Sequence, residues 1–249
     1  MTSPAGVVVL SVSARGAATA GPLRVERAWS TIKVPLLVAY LEHVRRRRGA
    51  PSGVAALRSD ERAAASEMVT VSANEPANRF FLALARANGG TDRGARAVER
   101  VLRRGGDART RVVAQPPDGA RTFTWLGQTR WALRRGAGVY AALQRGDLTG
   151  RADTRFVLGL MRRVTGSEWG LRTAVPGSIP LAYKVGVGRD SAGATTAEQY
   201  GIVGTGGDAC VIAVAARAPD EVSAKAAVDR LAAAATRPVR EGGGCGADE

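Results

Sequence analysis

Residues 28–44 read AWSTIKVPLLVAYLEHV, and the interpretation of the whole chain starts from this stretch. Its apolar residues recur at helical spacing and predict a helix over residues 30–47, with Pro35 near the first turn, where a missing N–H costs least. Ser30 and Lys33 stand three positions apart at the start of this helix and therefore share one face. Lysine is rare here: of 36 basic residues 33 are arginine, and the lysines are Lys33, Lys184 and Lys225.

The chemistry of the serine hydroxyl explains why a lysine would stand at position 33. A serine is a poor nucleophile unless a base takes its proton. A lysine can be that base when burial lowers its pKa, whereas an arginine does not deprotonate usefully. The single histidine, His43, lies on the same helix roughly 20 Å away, at ~1.5 Å per residue, which excludes a Ser-His-Asp relay built on Ser30. The alternative interpretation is a helix-capping serine and a lysine whose stem covers apolar surface.

Two further motifs follow in chain order. Residues 72–74 read SAN just before a predicted helix, and residues 184–186 read KVG on a predicted strand. Ser-x-x-Lys, Ser-x-Asn and Lys-x-Gly in this order resemble the signature of the class A β-lactamases and penicillin-binding proteins. Structural alternatives stay open for each motif, since Ser72 and Asn74 can cap a helix and Lys184 can be an ion-paired strand residue.

The resemblance extends over residues 5–236 and implies catalytic roles. Ser30 would be the acylated nucleophile, and Lys33 its general base or proton shuttle. Ser72 would pass a proton to the leaving nitrogen, and Lys184 would tune Ser72 and attract a substrate carboxylate. The resemblance implies neither a cofactor nor a metal, so side chains alone would carry out the chemistry.

The resemblance also implies a substrate-binding set. Asn74 would hold the Lys33 amine and a substrate amide. Gly186 belongs to the third motif, and the backbone N–H of the next residue, Val187, would form an oxyanion hole together with the N–H of Ser30. Such donors typically contribute ~3 kcal/mol each to lowering the barrier.

Two positions depart from the family pattern. Val185 stands where the family usually places a hydroxyl that bonds the substrate carboxylate, and a lost bond to a charged group costs about 1.5–3 kcal/mol. The long loop that carries a deacylating glutamate in class A enzymes contains none between residues 105 and 131. The acids there are Asp107 and Asp118, and Gln128 cannot act as a base. Any acyl-enzyme at Ser30 is therefore expected to be long-lived.

The predicted fold class is α/β (α+β), similar to the β-lactamase/transpeptidase fold. Strands are predicted at both ends of the chain, with a turn at residues 14–22 and helices between, which favours one antiparallel sheet built from both ends. We expect a single domain over residues 1–236, with an α/β lobe (1–29 and 166–236), a helical lobe (30–165) and a disordered tail (237–249). The predicted elements are strands at 6–13, 23–29, 179–188, 197–206 and 208–217, and helices at 30–47, 60–71, 76–88, 93–104, 130–144, 151–164 and 219–235.

Composition limits the partners. The net charge of +14 favours anionic surfaces, but the arginines are scattered and no nucleic-acid-binding motif is present, so nucleic acid is not expected as a partner. No apolar run reaches the ~18 residues of a membrane span, and the first residues do not read as a signal peptide. Cys210 and Cys245 are expected as free thiols rather than a disulfide. Trp125 and Trp131 are expected to pack rather than bind substrate, and Lys225 to be a solvated helix residue.

Three functional interpretations remain from the sequence. The first is a serine hydrolase or acyl transferase of the cell envelope, or secreted, that acts on a small-molecule or peptide amide or ester and is a poor β-lactamase. The second is a penicillin-binding-like protein without turnover that binds cell-wall peptides or a protein partner. The third is an active β-lactamase with an unusual deacylation residue. The sequence does not define an oligomeric state.

Overall fold

The computed structural model of the protein describes residues 4–13, 16–114, 126–241 and 244–245. The strands in these ranges are β1 Ala5–Ser11, β2 Ala17–Ala20, β3 Val25–Arg27, β4 Arg130–Ala132, β5 Leu181–Arg189, β6 Thr195–Val203 and β7 Cys210–Ala218. The helices are α1 Lys33–Arg48, α2 Gly53–Ala56, α3 Ser59–Thr70, α4 Asn74–Asn88, α5 Thr91–Arg104, α6 Leu133–Arg145, α7 Arg151–Met161, α8 Leu171–Ala174, α9 Glu221–Ala235 and α10 Arg237–Arg240. Single 3₁₀ turns cover Trp29–Ile32, Leu126–Gln128 and Gly206–Asp208.

The main sheet joins the two ends of the chain. Its five strands are antiparallel and ordered β2-β1-β7-β6-β5. β1 pairs with β7 from Ala5 opposite Ala216 to Ser11 opposite Cys210. The predicted sheet from both chain ends, flanked by helices, is therefore confirmed, and β5 lies at its edge.

The second predicted strand is only partly right. Residues 17–20, expected within a turn, form β2 on the outer side of β1. Of the predicted strand 23–29, only β3 is extended, and it pairs with β4 in a separate two-stranded sheet. β4 takes the first residues of the predicted helix 130–144, because pairing with β3 holds Arg130–Ala132 extended before α6 begins. Segments of three or four residues are too short to show apolar alternation, so only this tertiary pairing defines them.

Two apolar clusters cover the two faces of the main sheet. One contains α1, α6 and the other helices of the middle of the chain together with one sheet face. The other lies between the opposite face and α8 and α9. In the first cluster Trp131 and Tyr140 each stack on Tyr200, with ring centroids 5.4 and 5.0 Å apart, and are tilted to each other at 6.4 Å. Trp131 is 1 % exposed, as expected of a packing residue. Trp125 lies outside the described residues.

The cysteine prediction is wrong, because Cys210 and Cys245 form a disulfide with their Cα atoms 5.4 Å apart. The tail expected to be disordered begins with α10, which follows α9 after Thr236, and then returns to the start of β7. A cysteine within a predicted strand is typically a buried free thiol. The spacing of the two cysteines in the sequence does not indicate that the tail returns to β7. Lys225, on α9, is ion-paired with Glu221 at 2.6 Å rather than simply solvated.

His43, near the C-terminal end of α1, is partly buried. Burial, and then the charges of Arg47, Arg46 and Arg48 after it, lower the pKa of His43 below its ordinary value. In the part of the chain that the structure describes, no helix is both long and apolar enough for a membrane span.

Candidate active site

The Ser30 hydroxyl is carried by a strained turn rather than by the helix itself. A 3₁₀ turn over Trp29–Ile32 precedes α1, and Trp29 has φ 39°, in the left-handed region that costs a non-glycine residue about 1–3 kcal/mol. Thr31 and Ile32 are buried, while Ser30 remains partly exposed. The turn therefore places the two residues that follow Ser30 in the core and leaves Ser30 accessible.

The Trp29 indole lies against the inner face of β5. A Cβ at Gly188 would stand 2.2 Å from the ring, and a Cβ at Gly186 would stand 3.1 Å from the Cβ of Trp29. Glycine is therefore required at position 188 because no side chain fits between the strand and the indole. The two glycines let β5 approach the turn that carries Ser30.

The Lys33 side chain is completely buried one position after this turn. Its Nζ donates to the backbone carbonyl of Ser72 at 2.5 Å and to Oδ1 of Asn74 at 2.7 Å. Burial lowers the pKa of Lys33 from 10.5 to about 7. Near neutral pH a large fraction of these amines is unprotonated and able to accept a proton.

Ser72 connects the two lysines of the site. Its φ is 61°, so its carbonyl faces Lys33 while its hydroxyl faces Lys184, whose Nζ lies 2.8 Å from Ser72 Oγ. Lys184 is fully buried. Burial, with the charge of Lys33 as a second cause, holds the pKa of Lys184 well below its usual range. Ser72 thus holds the Lys33 amine through its backbone carbonyl and the Lys184 amine through its hydroxyl.

A cleft of about 250 Å³ opens in front of this chain. Its lining includes Ser30, Asn74 and Val187, so the structure brings the predicted nucleophile together with two predicted substrate-binding residues. Lys33 is hydrogen-bonded to Asn74 and to the Ser72 carbonyl, and the Ser72 hydroxyl is bonded to Lys184. All seven predicted site residues thus lie in one region, with Gly186 on β5 between Lys184 and Val187.

The structure also shows where the residues that depart from the family pattern lie. Val185 is 8 % exposed and packs in the apolar cluster beneath α8 and α9, on the face of β5 opposite Gly186. Asp107 is 1 % exposed and accepts from Thr110 N and from Trp131 Nε1 at 2.8 Å. It therefore holds the start of the loop and is not available as a base. Asp118 lies outside the described residues, and Gln128 ends the 3₁₀ turn Leu126–Gln128.

Sequence reasoning missed three residues at this site. Arg189 lines the cleft beside Val187 and brings a positive charge to its rim. Thr31 and Glu198 form a buried polar contact behind the nucleophile turn, with Thr31 Oγ1 2.9 Å from Glu198 Oε1. A glutamate in the middle of the apolar strand AEQYGIV was the available signal, because charged groups are almost never fully buried without a partner.

Comparison with solved structures places the fold. A β-lactamase from Xanthomonas campestris superposes with a TM-score of 0.70 over 96% of this chain and 92% of that chain, at 18% identity. One from Burkholderia vietnamiensis gives 0.71 over 96% and 92%, also at 18% identity. One from Chitinophaga pinensis gives 0.69 over 92% and 91%, again at 18% identity. No curated protein matches the sequence significantly.

At these identities the solved structures establish the fold alone. The sequence itself matches a family over nearly its full length, since residues 3–239 fit the beta-lactamase enzyme family. This match agrees with the order of the strands and with the arrangement of serines and lysines at the cleft. The chain therefore belongs to the beta-lactamase enzyme family.

Proposed function

We propose that this member of the β-lactamase superfamily of serine hydrolases forms an acyl-enzyme at Ser30 and acts on an amide or ester, with poor β-lactam turnover. The observation that supports this most is the buried Lys33 amine, whose pKa lies at about 7 and which is anchored by Asn74 and the Ser72 carbonyl. A neutral amine three residues after an accessible serine supplies the base that the hydroxyl needs.

Acylation would proceed in two proton transfers. Lys33 takes the proton of the Ser30 hydroxyl as its oxygen attacks the substrate carbonyl. The oxyanion then forms facing the backbone N–H groups of Ser30 and Val187. The proton passes through Ser72, whose hydroxyl is held by Lys184, to the leaving nitrogen or oxygen as the carbonyl–leaving-group bond breaks.

The acyl-enzyme would be slow to hydrolyse. Hydrolysis needs a base that activates a water on the loop side of the cleft, and residues 105–131 contain no glutamate. Asp107 is held by backbone N–H groups and by Trp131, and so cannot replace it. Transfer of the acyl group to an amine or alcohol acceptor, or slow hydrolysis, is the outcome that these residues favour.

A binding role without turnover is the second candidate. Its support is the apolar Val185 in place of a hydroxyl, which removes one recognised contact to a substrate carboxylate.

The site of action would be the cell envelope or the outside of the cell. The Cys210–Cys245 disulfide favours such an oxidising compartment, because disulfides rarely persist in the cytosol.

Intact-mass spectrometry with benzylpenicillin and with a fluorophosphonate separates these candidates. We expect a covalent adduct on Ser30 with both reagents, and no adduct on Ser30→Ala or Lys33→Arg. The penicillin adduct should persist for minutes or longer, because loss of a general base slows a step by about 10²–10⁴-fold.

Each other outcome selects a different interpretation. No labelling of the wild-type protein by either reagent would leave only the binding role. Rapid turnover of a chromogenic cephalosporin without adduct accumulation would show an active β-lactamase in which another residue, for example Asp118, supplies the deacylating base. Labelling of Lys33→Arg at the wild-type rate would refute the base assignment.

A further inference from the structure

Glu198 is a buried carboxyl group that the proposed mechanism does not use. It lies in the middle of β6, opposite Gly186 of β5, and is 1 % exposed. Its Oε1 would stand 2.8 Å from a Cβ at Gly186. The group is therefore enclosed between the sheet and the turn that carries Ser30.

Thr31 is the contact between Glu198 and that turn. The Thr31 Oγ1 lies 2.5 Å from the carbonyl oxygen of Ala28 and 2.9 Å from Oε1 of Glu198. On the other side, the Thr31 carbonyl accepts a hydrogen bond from Tyr140 Oη at 3.0 Å. These hydrogen bonds hold Thr31, the residue that follows Ser30, in place.

The number of protons in this cluster bears on the state of Glu198. A threonine hydroxyl has one proton to donate and can accept as well. The Ala28 carbonyl can only accept, so two separate, full hydrogen bonds require that Thr31 donates to Ala28 and Glu198 donates to Thr31. A carboxyl group can donate only when it is protonated.

The electrostatic surroundings agree with a neutral carboxyl group. Burial raises the pKa of Glu198 well above its ordinary value, and the charge of Glu26 acts in the same direction. The Thr31 hydrogen bond opposes this without reversing it. Burial, and after it any charge on Glu198, raises the pKa of Tyr140 and of Tyr200, and neither tyrosine supplies a positive charge.

We propose that Glu198 is a neutral carboxylic acid that donates a hydrogen bond to Thr31 and thereby positions the turn that carries Ser30. It acts through Thr31 and is a positioning residue. This inference deepens the proposed function, since the positioned group is the proposed nucleophile. When Glu198 ionises, Thr31 must turn its proton towards the carboxylate, and the bond to Ala28 is lost.

Three variants test the proposal. Glu198→Gln keeps the shape and replaces the acid O–H by an N–H that donates at every pH. Glu198→Met keeps the approximate volume and removes the donor. Thr31→Val removes the hydroxyl between Glu198 and Ala28, and serves as the matched control for the other end of the contact.

The first readout is the rate of fluorophosphonate labelling of Ser30 from pH 6 to pH 10. We expect Glu198→Gln to label within about threefold of wild type at pH 7, and Glu198→Met and Thr31→Val about 10–100-fold more slowly, since a displacement of about 1 Å can cost 10²-fold. Wild type should lose rate at high pH, and Glu198→Gln should lack that loss. Equal slowing of Glu198→Gln and Glu198→Met, or the same alkaline loss in Glu198→Gln, would overturn the proposal.

Two further readouts do not depend on reactivity at Ser30. The infrared spectrum at pH 8 should contain the carbonyl stretch of a neutral carboxylic acid that is absent from Glu198→Gln. Backbone hydrogen exchange over residues 28–36 should be faster in Glu198→Met and unchanged in Glu198→Gln. If wild type fails to label but both readouts hold, the proposed function fails and the role of Glu198 stands; if either readout fails, the role of Glu198 is refuted.

Discussion

Lys33 combines two properties that oppose each other at the scale of a single residue. Its amine is completely buried, which lowers its pKa to about 7, so a large fraction is neutral near pH 7 and suitable as a base. The same burial makes the charged form unfavourable in the folded protein, so the residue that enables acylation also lowers the stability of the fold at acidic pH.

Replacing Lys33 by methionine should change how stability depends on pH. Below the folded pKa of about 7 the native state must hold a buried cation, whereas the unfolded lysine stays protonated up to about 10.5. Between these values the unfolded state binds more protons, so wild-type stability rises with pH. Relative to Lys33→Met, the free energy of unfolding of wild type should rise by up to ~1.4 kcal/mol per pH unit over this range.

Urea unfolding at pH 7, 8 and 9 measures this difference. Lys225→Met is the matched control, and it should keep the wild-type slope because Lys33 is still present. A difference between wild type and Lys33→Met that is constant from pH 7 to pH 9 would show that the Lys33 amine is not neutral in the folded state.

Ser72→Ala should separate proton relay from nucleophilic attack. Ser72 Oγ is bonded to Lys184 Nζ and can deliver a proton to a leaving nitrogen, but a leaving fluoride needs no proton. Acylation by benzylpenicillin should therefore fall by about 10²–10⁴-fold, the usual contribution of general acid catalysis. Fluorophosphonate labelling should fall much less. A similar fall with both reagents in stopped-flow or mass measurements would assign Ser72 a structural role instead.

The residue types of this site could be predicted from the sequence, but not all of their contacts. Lysines in an arginine-rich chain identified positions 33 and 184, because those tasks need an amine that titrates. The double role of Ser72 depends on a left-handed backbone that no sequence pattern indicates. The role of Glu198 could not be predicted, because its partner Thr31 is distant in sequence and contacts it only in the folded protein.

At the scale of elements, the cleft depends on how closely β5 approaches the nucleophile turn. Trp29 lies against two positions of the strand that have no side chain. The long helices and the strands β5, β6 and β7 were predictable from apolar periodicity. β2 and β4 were not, and β3 was predicted only as part of a longer strand, since each is too short to carry a full pattern and is defined by its pairing.

Gly188→Ala should therefore damage both the fold and the site. Its Cβ would stand 2.2 Å from the Trp29 ring, so the strand or the indole must move. We expect a loss of about 1–3 kcal/mol of stability, typical of overpacking, together with slower labelling of Ser30. Gly177→Ala is the control, because a Cβ there meets nothing within 4 Å. Thermal unfolding and labelling rates that match wild type for Gly188→Ala would show that Trp29 is free to move.

At the scale of the whole molecule, the disulfide ties the chain end to β7, away from the cleft. It closes a loop of 35 residues that contains α9 and α10. The sheet built from both chain ends could be predicted from the order of strands and helices. The disulfide could not, because nothing in the glycine-rich stretch around Cys245 indicates that it folds back.

Cys245→Ser should lower stability without changing reactivity. Loss of a disulfide of this loop length costs typically 2–4 kcal/mol, chiefly through the entropy of the unfolded chain. Labelling of Ser30 at 25 °C should stay at the wild-type rate, because Cys210 and Cys245 touch none of the cleft residues described. Urea unfolding with and without reductant, with Cys245→Ser alongside, measures the first effect. A reductant effect on the variant as large as on wild type would assign the loss to another cause.

The pairing of β1 with β7 also governs the order of events during synthesis. The partners stand about 200 residues apart along the chain, so the inner edge of β1 stays uncovered until β7 has been synthesised. At about 5–20 residues per second the ribosome needs roughly 10–40 s to deliver β7. For that time β1 can pair with β2 alone and the main sheet is unfinished, so its apolar surface stays exposed to other chains.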